Sequence, residues 1–232
     1  MNKIILVLSM LLTMSVNAKT IVVGVIDTGF NFSFNQYEHF KLSKPKLCKT
    51  GHKDFTGSTI TDTNGHGSNI VSLIAKGNEN TDYCIMVLKY FSKETEAVSL
   101  NPELKAIEYA IKQKVDVINM SIAGYSFNKQ ECDLVKIALN KGIRIVAAAG
   151  NEGYDLSKTK VYPAMCDSRI TIVMNYYKDT RHYTSNYGNN AVTEQGTYQY
   201  GVSDKAIPEF KSGTSQATAN YTSKLIKQLG NR

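Results

Sequence analysis

Three polar side chains stand at turns where they could meet another molecule. Ser215 lies in Ser212-Gly213-Thr214-Ser215-Gln216-Ala217-Thr218-Ala219, a small-residue stretch that runs on to Leu225, Ile226 and Leu229 and reads as a helix opening at a serine. A hydroxyl there sits at the positive end of the helix dipole, its own backbone N–H is free to face a substrate, and Gly213 permits close approach. The same octapeptide would also serve as an N-cap after a glycine turn. His66 stands between Gly65 and Gly67, ahead of an apolar helix through Ile70, Val71, Leu73, Ile74 and Ala75. Flanking glycines leave the imidazole open, a poor setting for a packed core histidine and a good one for a general base. Asp27 ends the run Thr20–Ile26 and is followed by Thr28-Gly29. Open α/β sheets place their sites at such strand ends, although an Asx turn would use the same residues. His39, His52 and His182 lack a comparable context and are expected at the surface.

The rest of the chain must position these groups. Thr20–Ile26, Ile85–Leu88, Val115–Met120, Ile143–Ala148 and Ile170–Met174 are apolar, β-branched runs of the kind buried on both faces of a parallel sheet. Between them fall a helix opening at Asn101-Pro102-Glu103 with Leu104, Ile107 and Ile111 on one face, and another from about Cys132 to Lys141 closed by Gly142. This alternation predicts an α/β fold: a doubly wound, mostly parallel sheet with helices on both faces. Residues 31–61 show weak periodicity, with a short strand expected around Pro45 to Cys48.

The chain has 232 residues, enough for a full core, and is expected to form one domain over residues 19–232. The net charge of +7 comes mostly from scattered lysines. With no basic block and no interleaved aromatics, it predicts a solvated surface and no nucleic-acid site. Met1-Asn2-Lys3, the apolar run Ile4 to Met14 and the small-residue pattern Val16-Asn17-Ala18 read as a secretory signal peptide over residues 1–18. The run is too short to span a bilayer comfortably, so no stable membrane insertion is expected after its removal. Export to a periplasm or out of the cell would place Cys48, Cys84, Cys132 and Cys166 in an oxidising compartment, where two disulfides are expected. No oxygen-ligand cluster stands out, and no metal or other cofactor is expected.

Four motifs, in order, carry a resemblance: Asp27-Thr28-Gly29, Gly65-His66-Gly67, Ala148-Ala149-Gly150-Asn151 and Gly213-Thr214-Ser215. Over roughly residues 20 to 230 the chain is similar to the subtilisin-like serine peptidases (subtilases, peptidase family S8), in which acid, base and nucleophile follow this order. The resemblance implies a three-layer α/β/α fold and an exported serine endopeptidase acting on proteins or peptides through an acyl-enzyme. Asp27, His66 and Ser215 would form the triad, and Asn151 would donate to the oxyanion. Ser121, Ile122, Ala123 and Gly124 would form one wall of the substrate pocket, Ala147, Ala148, Ala149 and Gly150 the other, and Ala164 its floor, with Glu152 near the rim. The expected preference is apolar or aromatic before the cut, with some tolerance of lysine. Position matching implies that Cys48 pairs with Cys84 and Cys132 with Cys166.

The departures shape the rival expectations. Gln216 and Asn220 stand where the family usually has methionine and proline, and Ser68-Asn69 replaces the commoner Thr-His. A polar Gln216 would need a hydrogen-bond partner if buried. No propeptide is recognisable between Ala18 and the first strand, and an inhibitor or other partner could restrain the protein. One alternative is a catalytically silent binding or interaction module on the same fold. A serine esterase is a weaker alternative, since no GxSxG elbow is present.

Overall fold

The computed structural model describes residues 19–92, 101–188 and 190–231. The expected signal peptide lies outside the described residues. The expected runs do form strands: β1 (Ile21–Asp27), β3 (Tyr83–Lys89), β4 (Val117–Met120), β5 (Arg144–Ala148) and β6 (Thr171–Tyr177). With β2 (Lys53–Asp54), β7 (Thr180–Arg181) and β8 (Val192–Gln195) they make an eight-stranded sheet of order β2-β3-β1-β4-β5-β6-β7, β8 also pairing with β6. Every pairing in it is parallel except β6 with β7. A separate antiparallel pair joins β9 (Gln199–Gly201) to β10 (Glu209–Lys211).

The apolar runs divide between two cores because successive side chains point to opposite faces. Val23, Val25, Ile85, Val87, Val117, Val146 and Val173 pack with α1 (His66–Ala75) and α4 (Thr214–Gly230). Ile26, Met86, Leu88, Ile118, Met120, Ile145, Ala147, Ile172 and Met174 pack with α2 (Asn101–Gln113) and α3 (Lys129–Asn140). Helices therefore cover both faces. The chain passes from β1 to β3 on one side and returns to β4 on the other, so the sheet's direction of winding reverses at β1. Asp27 closes β1 and Ser121 follows β4, which puts both at the carboxyl ends flanking that switch point.

Four expectations need correction. Helix α3 opens at Lys129, earlier than Cys132, because Asn128 caps it by accepting from Glu131 N at 3.0 Å. Residues 45–48 form no strand; Leu47 makes an isolated bridge to Ile85. Like His182, His52 is half-buried rather than a surface residue. Val87 N donates to its Nδ1 at 3.0 Å, so Nε2 carries the proton and donates to Cys48 O at 2.9 Å. Finally, α4 does not open at the serine: Gly213 precedes the helix and Ser215 is its second residue.

Disulfides join Cys48 to Cys84 and Cys132 to Cys166, across sequence separations of 36 and 34 residues. Closing loops of that size typically stabilises a fold by about 2–4 kcal/mol. The second fastens the start of α3 to the segment just after Ala164.

Between α2 and α3, the side chains of Glu103 and Glu131 are both buried and close enough to interact, and Glu103 Oε1 has no hydrogen-bond partner among the described residues. Burial, then the neighbouring carboxyl, holds Glu103 well above the usual carboxylate range. The folded protein thus keeps a proton that the unfolded chain releases, so this pair's contribution to stability falls as pH rises above the unfolded carboxylate range. Glu103→Gln keeps a donor toward Glu131 and needs no proton. It is expected to raise the Tm by roughly 2–6 °C at pH 8 and by much less at pH 5, measured by thermal denaturation.

Candidate active site

The groups singled out in the sequence converge on the crevice at the ends of β1 and β4. Asp27 is 2% exposed, and its Oδ1 accepts from Thr28 N at 2.7 Å and pairs with His66 Nδ1 at 2.7 Å. A hydrogen bond to a carboxylate fixes the proton on Nδ1 and leaves Nε2 as the free lone pair. Asp27 Oδ2 is buried with no hydrogen-bond partner among the described residues, so the imidazole is the main answer to this charge. Burial pulls the His66 pKa down, but the Asp27 charge and hydrogen bond, with help from Asp62, outweigh it and hold the imidazole above its ordinary 6.5.

Gly67 explains how the helix comes so close to the aspartate. A Cβ there would lie 2.3 Å from Gly29 O and 3.1 Å from Thr28 N, so any side chain would push α1 off the Asp27-Thr28-Gly29 turn. Asp62, which the sequence analysis did not single out, holds the same junction. Its Oδ1 accepts from Asn64 N, Gly65 N and Thr28 Oγ1, each at 2.9 Å, and its Oδ2 from Ser68 N at 2.8 Å and Ser68 Oγ at 2.7 Å. A buried carboxylate thereby serves orphan donors at the start of α1 and favours its positive end. Thr28 Oγ1 in turn accepts from Gly67 N at 2.8 Å.

Ser215 reaches the crevice from α4, partly exposed. Its hydroxyl donates to Ser121 O at 3.1 Å, while Ser121 Oγ donates back to Ser215 O at 3.1 Å. Asn119 and Thr222 continue this clasp: Asn119 Nδ2 donates to Ser121 Oγ at 3.0 Å, and Thr222 Oγ1 donates to Asn119 Oδ1 at 2.9 Å. Among the described residues the Ser215 side chain makes no hydrogen bond to His66, and its backbone N–H, in the first turn of α4, has no acceptor.

Asn151 faces the same space. Thr214 N, which can only donate, meets Asn151 Oδ1 at 2.9 Å, so the amide nitrogen Nδ2 must point the other way, outward and unpaired among the described residues. The two departures flagged behind the histidine and the serine meet each other: Gln216 is 2% exposed and its Nε2 donates to Asn69 Oδ1 at 3.1 Å. Asn220 Nδ2 donates to Gln195 O at 2.6 Å and Gln199 Oε1 at 2.9 Å, tying α4 to the β8–β9 connection.

Of the expected wall residues, Ser121 is buried, Ile122 and Gly124 half-buried and Ala123 exposed, while Ala147, Ala148, Ala149 and Gly150 are buried. Gly124 and Tyr162 exchange backbone hydrogen bonds of 2.8 Å in both directions, and Ala164 is fully buried just beyond. Glu152, at the second wall, accepts from Asn151 N at 2.7 Å. Asn186 and Tyr125, neither anticipated, converge on it. No group of three or more His, Cys, Asp or Glu that could hold a metal occurs among the described residues.

The fold and this cluster define an α/β protein whose switch-point crevice gathers a buried acid, a paired imidazole, a helix-start serine and an outward carboxamide. The chain belongs to the subtilase family: the Peptidase_S8 pattern matches residues 18–227. It is 31% identical over 172 residues to the major intracellular serine protease of Bacillus subtilis (strain 168), covering 68% of this chain and 51% of that protein. The chain thus aligns with about half the length of that relative. Against subtilisin DY of Bacillus licheniformis it is 30% identical over 210 residues, 84% of this chain and 72% of that protein. Its fold matches the crystal structure of a cold adapted subtilisin-like serine proteinase with a TM-score of 0.74 at 22% identity, covering 91% of this chain and 76% of the other.

Proposed function

We propose that this chain is an exported serine endopeptidase in which Ser215 attacks the peptide carbonyl, His66 is the base, Asp27 orients and stabilises the imidazolium, and Asn151 donates to the oxyanion. The carrying observation is the 2.7 Å pairing of His66 Nδ1 with buried Asp27, which presents a basic Nε2 to the crevice that Ser215 enters. A serine hydroxyl is too weak a nucleophile at neutral pH without such a base. The mechanism requires the Ser215 hydroxyl to leave Ser121 O for Nε2, a bond that often tightens only once substrate is bound. The proton then passes from Oγ to Nε2 and on to the leaving amine, leaving an acyl-enzyme that water resolves by the reverse path. The Ser215 N–H and Asn151 Nδ2 are free to hold the oxyanion at each tetrahedral stage. Export is supported by the N-terminal sequence and fits the two disulfides.

Comparing peptide and ester substrates, with Ser215→Ala as control, tests the assignment. Peptide hydrolysis abolished in that variant supports it; hydrolysis that survives in the variant contradicts it. The hydroxyl resting on Ser121 O instead of His66 favours a second reading, a silent module that binds peptides without cutting them. Inertness toward both substrate classes, with binding retained, would select that one.

The pH profile follows from the pairing. His66 is a base only when neutral, and its pKa is raised. Activity is therefore expected to climb with pH through a midpoint above 6.5, read from kcat/KM between about pH 5 and 9. A flat profile would contradict the role of His66.

A further inference from the structure

The expected pocket has two walls, and one side chain spans the gap between them. Tyr125 follows directly on Gly124, at the end of the first wall. Its hydroxyl donates to Glu152 Oε2 and accepts from Asn186 Nδ2 at 3.0 Å. Both partners belong to the second wall: Asn186 Nδ2 also holds Ala149 O at 2.8 Å, and Glu152 Oε2 accepts from Asn151 N at 2.7 Å. A Cβ built on Gly150 would come within 2.9 Å of the Tyr125 hydroxyl, so the phenol lies directly against that wall's backbone. The Tyr125 ring also meets Tyr154 edge-on, with centroids 5.7 Å apart.

Any side chain that reaches between the two walls must fit beside this ring or displace it. Displacing it would break the hydrogen bond that the phenol donates to Glu152 Oε2 and its contact with Asn186 Nδ2, whereas a methyl or hydroxymethyl group needs no displacement. We propose that Tyr125 is a specificity-determining residue that closes the pocket to large side chains, so that the chain cuts after residues the size of alanine or serine. This rests on the peptidase assignment and replaces the apolar or aromatic preference, with some tolerance of lysine, that the resemblance implied.

The test uses two peptides identical except for alanine or phenylalanine before the cut, assayed with the mature chain and two variants. The unaltered chain is expected to favour alanine at least tenfold in kcat/KM. Tyr125→Ala is expected to raise kcat/KM for the phenylalanine peptide at least tenfold while changing the alanine peptide less than threefold. Tyr125→Phe keeps the ring but loses its anchors, and an intermediate gain of a few-fold is expected. Tyr125 is 41% exposed, so neither change opens the core. Unchanged ratios in both variants, with turnover intact, would overturn the assignment of Tyr125 alone. If neither peptide is cut and a fluorophosphonate fails to label Ser215, the peptidase assignment fails and this one falls with it.

Discussion

His66→Ala is expected to lower kcat by about 10⁶-fold with KM changed only a few-fold, a magnitude known for subtilisin itself and carried over here through family membership. The size follows from cooperation between groups. Without the imidazole, the Ser215 hydroxyl has no acceptor for its proton at neutral pH, and the leaving amine has no donor. Asp27 then has nothing to orient, because His66 Nδ1 is its principal partner. The same dependence predicts strong non-additivity: His66→Ala combined with Ser215→Ala is expected to be no slower than either alone. Steady-state kinetics on one peptide substrate settle this, and a double variant slowed by the product of the two factors would contradict a shared mechanism. A loss in His66→Ala smaller than about a hundredfold would equally remove His66 from the proton path.

Asn151→Ala is expected to cost about 10²–10³ in kcat with KM nearly unchanged, equivalent to about 2.7–4 kcal/mol, again the value for subtilisin itself. The geometry makes the split between kcat and KM the informative quantity. Asn151 Oδ1 is committed to Thr214 N at 2.9 Å, which leaves Nδ2 as the free donor, and a donor whose bond strengthens only as the carbonyl oxygen becomes an oxyanion acts on kcat rather than KM. Asn151→Asp preserves the shape but sets a carboxylate against that developing charge, so a loss at least as large is expected. A rise in KM at unchanged kcat in Asn151→Ala would place the residue in ground-state binding and contradict the oxyanion role.

Much of this site was legible in the sequence because its parts are local. Each of Asp27, His66, Asn151 and Ser215 stands at a glycine-marked turn beside a long apolar element, and β1, β3, β4, β5 and β6 are β-branched runs that tertiary context had no reason to overrule. What escaped depends on contacts distant in sequence. Asp62 lies in a stretch without periodicity, and its role arises because the chain folds its carboxylate beneath the start of α1. His52 is fixed by Val87, 35 positions away, and nothing near it in sequence signals this. The short strands β7 to β10 are two to four residues long and mostly polar, with Gln199 and Glu194 buried all the same, so neither an alternation nor an apolar run long enough to read marks them. Gln216 could be flagged as needing a partner, but identifying Asn69 required seeing α1 packed on α4. Tyr125 was not singled out in the sequence, and its partners Glu152 and Asn186 lie 27 and 61 positions away.

The central claim is that Ser215 is an activated nucleophile, even though its hydroxyl rests on Ser121 O at 3.1 Å in this structure. Fluorophosphonate labelling of the mature chain, followed by peptide mapping, tests it most directly. Covalent modification at Ser215, absent in Ser215→Ala and at least a thousandfold slower in His66→Ala, is the predicted result. A folded chain that resists the reagent, or that is labelled equally well without His66, would contradict it.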